Sequence, residues 1–245
     1  MLIIDFDPKS APQYVKQGYS IVVVDVLRAT STIIVAIERG AQKIFPCVEI
    51  EDTIALRNSH GALLAGERGG EKIKDFDFTN SPHDLSQNTL CNLTIAITTS
   101  TGTKLIAAST GSPNILIGST LNAKSVAQKM KMLDSKWAII GAGSHGEFRP
   151  EDKVGCALIA LHYLEETNFI PTQETMRFVK EYSSNIEHHI THSPSTEKLL
   201  RLGRARDVNF VLKNVNQYTQ VPVARNVQER GKEYLVITHD SYTIL

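Results

Sequence analysis

An acid and a base lie three positions apart at the end of a strongly apolar stretch. Asp25 and Arg28 follow residues 21–24, a continuous run of isoleucine and valine. Such a run predicts a parallel strand that is buried on both faces. In open α/β sheets, ligands bind outside the carboxyl ends of the strands, so this pair indicates a functional site. The structural alternative is that Asp25 and Arg28 only cap the turn after the strand.

Three more carboxylates are suited to chemistry. Glu67 follows a short apolar stretch, and Glu151 and Asp152 lie in the first turn of a predicted helix. With Asp25, they are candidates for Mg²⁺ binding or general acid–base chemistry, because Mg²⁺ is usually held by one or two carboxylates together with water and phosphate oxygens. For Glu151 and Asp152 the alternative is a favourable interaction with the helix dipole, worth about 0.3–1 kcal/mol each.

Turns rich in hydroxyl groups follow several predicted strands. They contain Thr30, Ser31 and Thr32, then Thr99, Ser100, Thr101, Gly102 and Thr103, and then Ser119 and Thr120. Helix N-termini present free N–H groups and a partial positive charge, which favour a bound oxyanion. These turns therefore predict an anionic ligand. Because Ser and Thr are also ordinary helix N-caps worth about 1 kcal/mol, a purely structural role stays open for each turn.

The turns belong to a recurring unit, in which an apolar strand leads through a polar turn into a helix. The unit occurs at residues 21–37, 93–109, 114–133 and 137–164. Parallel units point their strand ends the same way, so we expect the turns to line one cleft. We predict an α/β fold with a mixed, largely parallel sheet flanked by helices, one helix over residues 172–190, and a C-terminal hairpin at 225–243.

Length and charge restrict the class of protein. The 245 residues allow one compact α/β unit over 1–245, and two lobes with a cleft and a boundary near residues 110–135 are the alternative. The 26 Lys and Arg residues balance the 26 Asp and Glu residues without a polybasic run, which argues against nucleic acid as a partner. No apolar run approaches about eighteen residues and no signal peptide is evident, so we expect a soluble, cytoplasmic protein without a membrane partner.

Two other functions are compatible with parts of the sequence. The glycines at 141–146 match the dinucleotide fingerprint G-x-G-x-x-G, which would suit a nucleotide-binding oxidoreductase. In that fold the helix opens within the glycines, but here Pro150 opens it later, and no second strand ending in an acid follows about twenty residues on. A non-catalytic anion-binding module is the second alternative.

Ordered motifs across most of the chain carry a family resemblance. They are residues 24–32, 66–68, 80–82, 98–103, 118–123, 146–148, 151–152, 206–207 and 221–223, with Cys156. In these motifs the sequence resembles the 2-phosphosulfolactate phosphatase family. The resemblance implies a Mg²⁺-dependent phosphatase that converts 2-phospho-3-sulfolactate, or a related phosphorylated 2-hydroxy acid, to 3-sulfolactate and phosphate, a step toward coenzyme M. A homodimer is compatible with the sequence.

A small substrate with phosphate, carboxylate and sulfonate groups requires several fixed donors. We expect Arg28 and Arg68 each to clasp an oxyanion through two N–H groups, while the hydroxyl turns and the metal bind the phosphate. The matching motifs add Asn80, Ser81 and Asn122 to the predicted substrate-binding residues.

Asp25 is expected either to attack phosphorus or to ligate Mg²⁺, with Arg28 neutralising the transferring group. Glu67 or Asp152 would then ligate the metal or transfer a proton. Haloacid-dehalogenase phosphatases carry a second Asp two positions after the first, where this chain has Leu27. Their mechanism therefore cannot be copied here, and attack by a metal-activated water is equally compatible.

Overall fold

A computed structural model describes residues 1–143 and 148–239. The strands found there are β1 (Leu2–Asp5), β2 (Ser20–Val24), β3 (Lys43–Cys47), β4 (Leu63–Arg68), β5 (Glu71–Lys72), β6 (Thr94–Thr98), β7 (Ile115–Gly118), β8 (Trp137–Gly141), β9 (Val223–Glu229) and β10 (Lys232–Thr238). The α-helices are α1 (Ala11–Lys16), α2 (Ala29–Glu38), α3 (Ile50–His60), α4 (Pro82–Ser86), α5 (Gly102–Ala108), α6 (Ala123–Leu133), α7 (Pro150–Glu166), α8 (Gln173–Ser183), α9 (Ile186–Thr191), α10 (Pro194–Arg201) and α11 (Ala205–Lys213).

The strands form one sheet in the order β1-β8-β2-β7-β9-β10-β3-β6-β4-β5. Two groups of parallel strands, β1-β8-β2-β7 and β3-β6-β4, lie on either side of the antiparallel hairpin β9-β10. The predicted α/β class is therefore confirmed, including the mixed, largely parallel sheet and the C-terminal hairpin. Residues 110–135, the alternative lobe boundary, contain β7 and α6.

The hairpin reverses the direction of one parallel group relative to the other. Strand β7 pairs antiparallel with β9, β9 with β10, and β10 with β3, so β6 and β4 run opposite to β2 in the order of the sheet. The expectation that all four strand–turn–helix units share one direction is thus wrong for the unit at 93–109. The carboxyl ends of β2 and β6 nevertheless lie close together, since the hydroxyl of Thr101 after β6 donates to the carboxylate of Asp25 after β2.

Strand β2 separates two apolar cores. Ile21 and Val23 point into one core, which also contains side chains of α2, α5 and β6. Val22 and Val24 point into the other core, which contains side chains of α6 and α7. All four side chains are fully buried, as predicted for a strand covered on both faces. Packing on both faces holds the carboxyl end of β2, where Asp25 follows, in a defined place.

The prediction of one helix over 172–190 is wrong, because α8 ends at Ser183 and α9 begins at Ile186. Asn185 between them adopts a left-handed conformation with φ of 54°, which interrupts the helix. Within the described ranges, no helix has both the length and the apolar character needed to cross a membrane.

Candidate active site

A cleft opens where the turns after β2, β4 and β6 approach helix α10. Its lining residues are Asp25, Leu27, Arg28, Glu67, Gly70, Asn80, Thr99, Ser100, Thr101, Ser195, Lys198 and Leu199. Three of the predicted catalytic residues therefore share one cleft, although Asp25 and Arg28 lie in the turn after β2 and Glu67 lies near the end of β4.

Asp25 is a buried carboxylate at the bottom of this cleft. Its Oδ1 accepts a bond of 3.0 Å from the backbone N–H of Ala29, and its Oδ2 accepts a bond of 3.3 Å from the hydroxyl of Thr101. Burial raises the pKa of Asp25 to about 6; the Ala29 bond opposes the rise, and the charges of Glu67 and Glu151 add to it. The carboxylate therefore sits where a nearby cation would stabilise its ionised form.

Gly102 makes room for Asp25 at the start of α5. A Cβ at this position would lie 2.4 Å from Cβ of Ala29 and 2.6 Å from Oδ2 of Asp25. Both distances are far below van der Waals contact, so the close approach of α5 to the turn after β2 requires a glycine here.

Glu67 connects the turn after β4 with the turn after β6. Its Oε1 accepts a bond of 2.7 Å from the backbone N–H of Ser100. Its Oε2 accepts bonds from the backbone N–H of Gly70 at 2.6 Å and from the hydroxyl of Ser100 at 3.1 Å. These donors fix the position of the Glu67 carboxylate, and Gly70 links it to Arg28, whose Nη2 donates to the carbonyl oxygen of the same glycine.

Arg28 is buried and held by two partners. Its Nη1 donates to Oδ2 of Asp207 at 2.7 Å, and its Nη2 donates to the carbonyl oxygen of Gly70 at 3.2 Å. The hydroxyl of Ser81 donates to the other carboxylate oxygen of Asp207. Helix α11 thereby anchors the arginine that lines the cleft.

The chain that forms this set of buried acids and an anchored arginine also matches a known protein family over most of its length. The family described as 2-phosphosulpholactate phosphatase matches residues 6–227. The chain belongs to the 2-phosphosulfolactate phosphatase family. The resemblance drawn from the sequence motifs is confirmed, and the family is one of phosphoric monoester hydrolases.

Several relatives bear the name "Probable 2-phosphosulfolactate phosphatase". One from Clostridium acetobutylicum is 32% identical over 211 residues, which cover 81% of this chain and 88% of the relative. One from Carboxydothermus hydrogenoformans is 35% identical over 196 residues, which cover 79% and 82% of the two chains. One from Clostridium kluyveri is 41% identical over a shorter span of 135 residues, or 54% and 56%.

In this member of the 2-phosphosulfolactate phosphatase family, several residues in or beside the cleft were not predicted from the sequence. Ser195, Lys198 and Leu199 of α10 form one wall, and Asp207 holds Arg28 from behind. Asp207 lay within the motif at 206–207, but an acid in the first turn of a helix has no distinguishing pattern. The α10 residues lie on a polar helix with an ordinary amphipathic spacing, so no signal in the sequence separates them from surface residues.

Asp152 and Glu151 lie behind the lining of the cleft. The two carboxylate oxygens of Asp152 accept bonds from the backbone N–H groups of Val26 at 2.8 Å and Gly143 at 3.0 Å. Burial raises the pKa of Asp152, and the charges of Asp25 and Glu151 raise it further. Burial also raises the pKa of Glu151, whose Oε2 has no hydrogen-bond partner among the described residues.

The hydroxyl groups at the start of α2 bond to the backbone of the turn before it. Thr30 donates to the carbonyl of Asp25, Ser31 to that of Val26, and Thr32 to that of Arg28. All three hydroxyl residues are fully buried. The geometry of this turn therefore depends on them, whereas Thr99, Ser100 and Thr101 of the turn after β6 line the cleft itself.

Of the other predicted binding residues, Asn80 lines the cleft, whereas Arg68, Ser81 and Asn122 are not among its lining residues. The guanidinium of Arg68 donates to the carbonyl oxygens of Glu67 and Val48 and to the hydroxyl of Thr98. Asn122 accepts from the backbone N–H of Ser119 and donates to two backbone carbonyls. Ser81 caps α4 and bonds to Asp207, while Asn80 lines the cleft with a buried Oδ1 that has no described partner.

In residues 1–143 and 148–239, no three side chains of His, Cys, Asp or Glu converge as a ready-made metal site. An ion bound in the cleft would therefore combine one or two of the described carboxylates with oxygen ligands of other kinds. The glycine loop predicted at 141–146 is described only as far as Gly143, and its remaining residues lie outside the described ranges.

Proposed function

We propose that this protein is a Mg²⁺-dependent phosphatase that hydrolyses 2-phospho-3-sulfolactate, or a related phosphorylated 2-hydroxy acid, to 3-sulfolactate and phosphate. The observation that carries the proposal is the convergence of Asp25, Glu67 and Arg28 on one cleft in a chain of this family. The names of the relatives support the substrate class. The proposed setting is the cytoplasm, in a reaction sequence toward coenzyme M.

The oxygen atoms in the cleft suit Mg²⁺. Asp25 and Glu67 supply carboxylates, and the buried Oδ1 of Asn80 is an acceptor without a described partner. Mg²⁺ is commonly held by one or two carboxylates, with water and substrate phosphate completing its ligands, so a three-carboxylate cluster is not required. The ion would supply charge neutralisation and an acidified water molecule.

The electrostatics of the acids also support a cation. The negative charge of Glu67 contributes to the raised pKa of Asp25, which means that the two carboxylates repel each other in the cleft. A divalent cation between acids removes this repulsion. In this proposal Asp152, which accepts two backbone N–H groups, holds the turn after β2 against the end of β8.

Arg28 is placed to neutralise the phosphoryl group. A guanidinium has five N–H donors, and the bonds to Asp207 and Gly70 leave others free to bind phosphoryl oxygens. Hydrolysis forms a bond from a water oxygen to phosphorus, breaks the bond from phosphorus to the C2 oxygen, and returns a proton to that oxygen. Positioning and charge neutralisation contribute most to phosphoryl transfer. Asp25 has two roles open to it, attack on phosphorus or ligation of the ion.

The test measures phosphate release from 2-phospho-3-sulfolactate, 2-phospholactate, 2-phosphoglycolate and glycerol 2-phosphate, with Mg²⁺ or with EDTA. We expect release from the phosphorylated 2-hydroxy acids, dependence on Mg²⁺, and little release from glycerol 2-phosphate, which has neither a carboxylate nor a sulfonate. Asp25→Asn should lower kcat by about 1,000-fold, whereas the surface variant Glu233→Gln should match the native chain. Absence of release from every ester, or equal release in EDTA, would contradict the proposal.

A further inference from the structure

Helix α10 presents one face to the cleft. Ser195, Lys198 and Leu199 lie on that face and line the cleft. The start of the helix is held firmly, because Ser193 accepts from the backbone N–H of Thr196 at 3.1 Å and Thr196 donates to the carbonyl of Ile190 at 2.6 Å. Ser193 and Thr196 are buried. The helix is therefore a fixed wall from which Lys198 extends.

The stem of Lys198 packs against Gly70. Its Cε lies 3.3 Å, and its Nζ 4.0 Å, from the position that a Cβ of Gly70 would occupy. The carbonyl oxygen of the same glycine accepts a bond from Arg28. Gly70 thus lies between two cationic side chains, one buried and one at the mouth of the cleft.

The two cations differ in their pairing. Arg28 forms a buried ion pair with Asp207 at 2.7 Å. Lys198 makes no ion pair with any residue that the structure describes. The ammonium of Lys198 is therefore a cation available to a ligand, located beside the acids and arginine that would handle a phosphoryl group.

We propose that Lys198 binds the acidic group on C3 of the substrate, the sulfonate of 2-phospho-3-sulfolactate. Lys198 thereby selects phosphorylated 2-hydroxy acids that carry an acidic group on C3. This inference rests on the proposed function and names the specificity residue of the same cleft. When Arg28 and the acids bind the phosphoryl group of the substrate, an acidic group on C3 would lie at the mouth of the cleft, close to Lys198. A compact, rotatable ammonium suits a sulfonate, whose three equivalent oxygens need no fixed planar partner.

The test compares two substrates that differ in one group. In 2-phospholactate a methyl group replaces the sulfomethyl group of 2-phospho-3-sulfolactate. Lys198→Ala should raise KM for the sulfonated ester about fivefold, leave its kcat nearly unchanged, and leave both constants for 2-phospholactate unchanged. Lys198→Arg should restore the lower KM. Arg201→Ala, which removes a cation of the same helix outside the cleft lining, should behave like the native chain.

Two kinetic outcomes would overturn the inference. Lys198→Ala could lower kcat/KM equally for both esters, which would indicate a structural role, or it could leave kcat/KM unchanged for both. A binding measurement separates the inference from the proposed function. If the native chain hydrolyses neither ester, the proposed function fails. Calorimetry with 3-sulfolactate and lactate then tests the role of Lys198 separately. Weaker binding of 3-sulfolactate alone by Lys198→Ala would support the role of Lys198, and unchanged binding would refute it.

Discussion

Arg28 and Asp207 form a buried ion pair between residues that are 179 positions apart in the chain. Nη1 of the arginine lies 2.7 Å from Oδ2 of the aspartate, and the two side chains are 2% and 1% exposed. The pair joins the turn after β2 to helix α11. An arginine that meets a phosphoryl group must keep its orientation, and Asp207 supplies that constraint from outside the cleft.

Removing Asp207 should affect both stability and activity. Asp207→Ala leaves the guanidinium of Arg28 buried without its ionic partner, a change that typically costs about 3–5 kcal/mol. We expect the free energy of unfolding in urea to fall by about that amount. Phosphatase kcat/KM should fall about 100-fold in Asp207→Asn, because the arginine loses its constraint.

Arg204→Ala is the matched control for this prediction, since Arg204, which directly precedes α11, forms an ion pair at 3.2 Å with Asp84 of α4. That pair is partly exposed, so its loss should cost no more than about 1 kcal/mol and leave kcat/KM unchanged. Equal effects of Asp207→Ala and Arg204→Ala would show that the buried pair has no special part in placing Arg28.

Gly102→Ala should displace Asp25. The added methyl group would overlap Oδ2 of Asp25 and Cβ of Ala29, so either α5 or the turn after β2 must move. Overpacking of this kind costs about 1–3 kcal/mol, and a displacement near 1 Å lowers turnover about 100-fold. Thermal unfolding and phosphate release measure the two effects. Lys104→Ala, at an exposed position of the same helix, should change neither; an active and stable Gly102→Ala would refute the close approach.

The pKa of Asp25 predicts a stability that depends on pH in the metal-free protein. Burial, together with the charges of Glu67 and Glu151, raises this pKa from 3.8 to about 6, and the Ala29 bond opposes the rise. The folded protein therefore binds this proton more tightly than the unfolded chain does. Asp25 should consequently make metal-free protein less stable as the pH rises from about 4 to about 6, while below that range the penalty is absent.

Asp25→Asn should remove this penalty. In EDTA at pH 7 the variant should unfold with a free energy about 3 kcal/mol higher than that of the native chain, although it has lost activity. At pH 4 the two proteins should be nearly equal. Denaturant unfolding at both pH values measures the difference. A native chain that is more stable than the variant at pH 7 in EDTA would contradict the prediction.

Asp152→Asn distinguishes a structural acid from a metal ligand. One oxygen of Asp152 becomes an NH₂ group that faces the backbone N–H of Val26 or Gly143, which costs about 1–3 kcal/mol of stability. If Asp152 acts only by holding the turn, the Mg²⁺ concentration that gives half-maximal activity should stay near that of the native chain. A rise of that concentration by tenfold or more would make Asp152 a ligand, as the sequence analysis expected.

The positions of Asp25 and Glu67 were predictable because each follows a short apolar stretch of sequence; Asp25 directly follows β2, and Glu67 lies near the end of β4. Beyond the carboxyl end of a buried strand, the chain leaves the sheet, and polar residues placed there face solvent or a ligand. Lys198 and Asp207 lie on helices far along the chain. Their roles depend on which helix packs beside the turn after β2, and that packing leaves no periodic signal in the sequence.

The turns rich in Ser and Thr were likewise predictable in position but not in role. Their location at helix N-termini follows from local preference, since Ser and Thr satisfy free N–H and C=O groups there. Only the packing decides which hydroxyls meet the backbone and which meet the cleft. Thr30 bonds to the carbonyl of Asp25, whereas Thr101 donates to the carboxylate of Asp25 and lines the cleft.

The strand–turn–helix units, the burial of β2 on both faces, and the acid and arginine at its end follow from the amino-acid sequence, because hydrophobic periodicity and turn chemistry are local properties. The order of the strands follows from tertiary packing instead. The hairpin β9-β10 pairs with β7 on one side and β3 on the other, which separates the two parallel groups. Pairing between strands depends on contacts between residues far apart in the chain, and only this packing brings Asp25, Glu67 and Ser100 into one cleft.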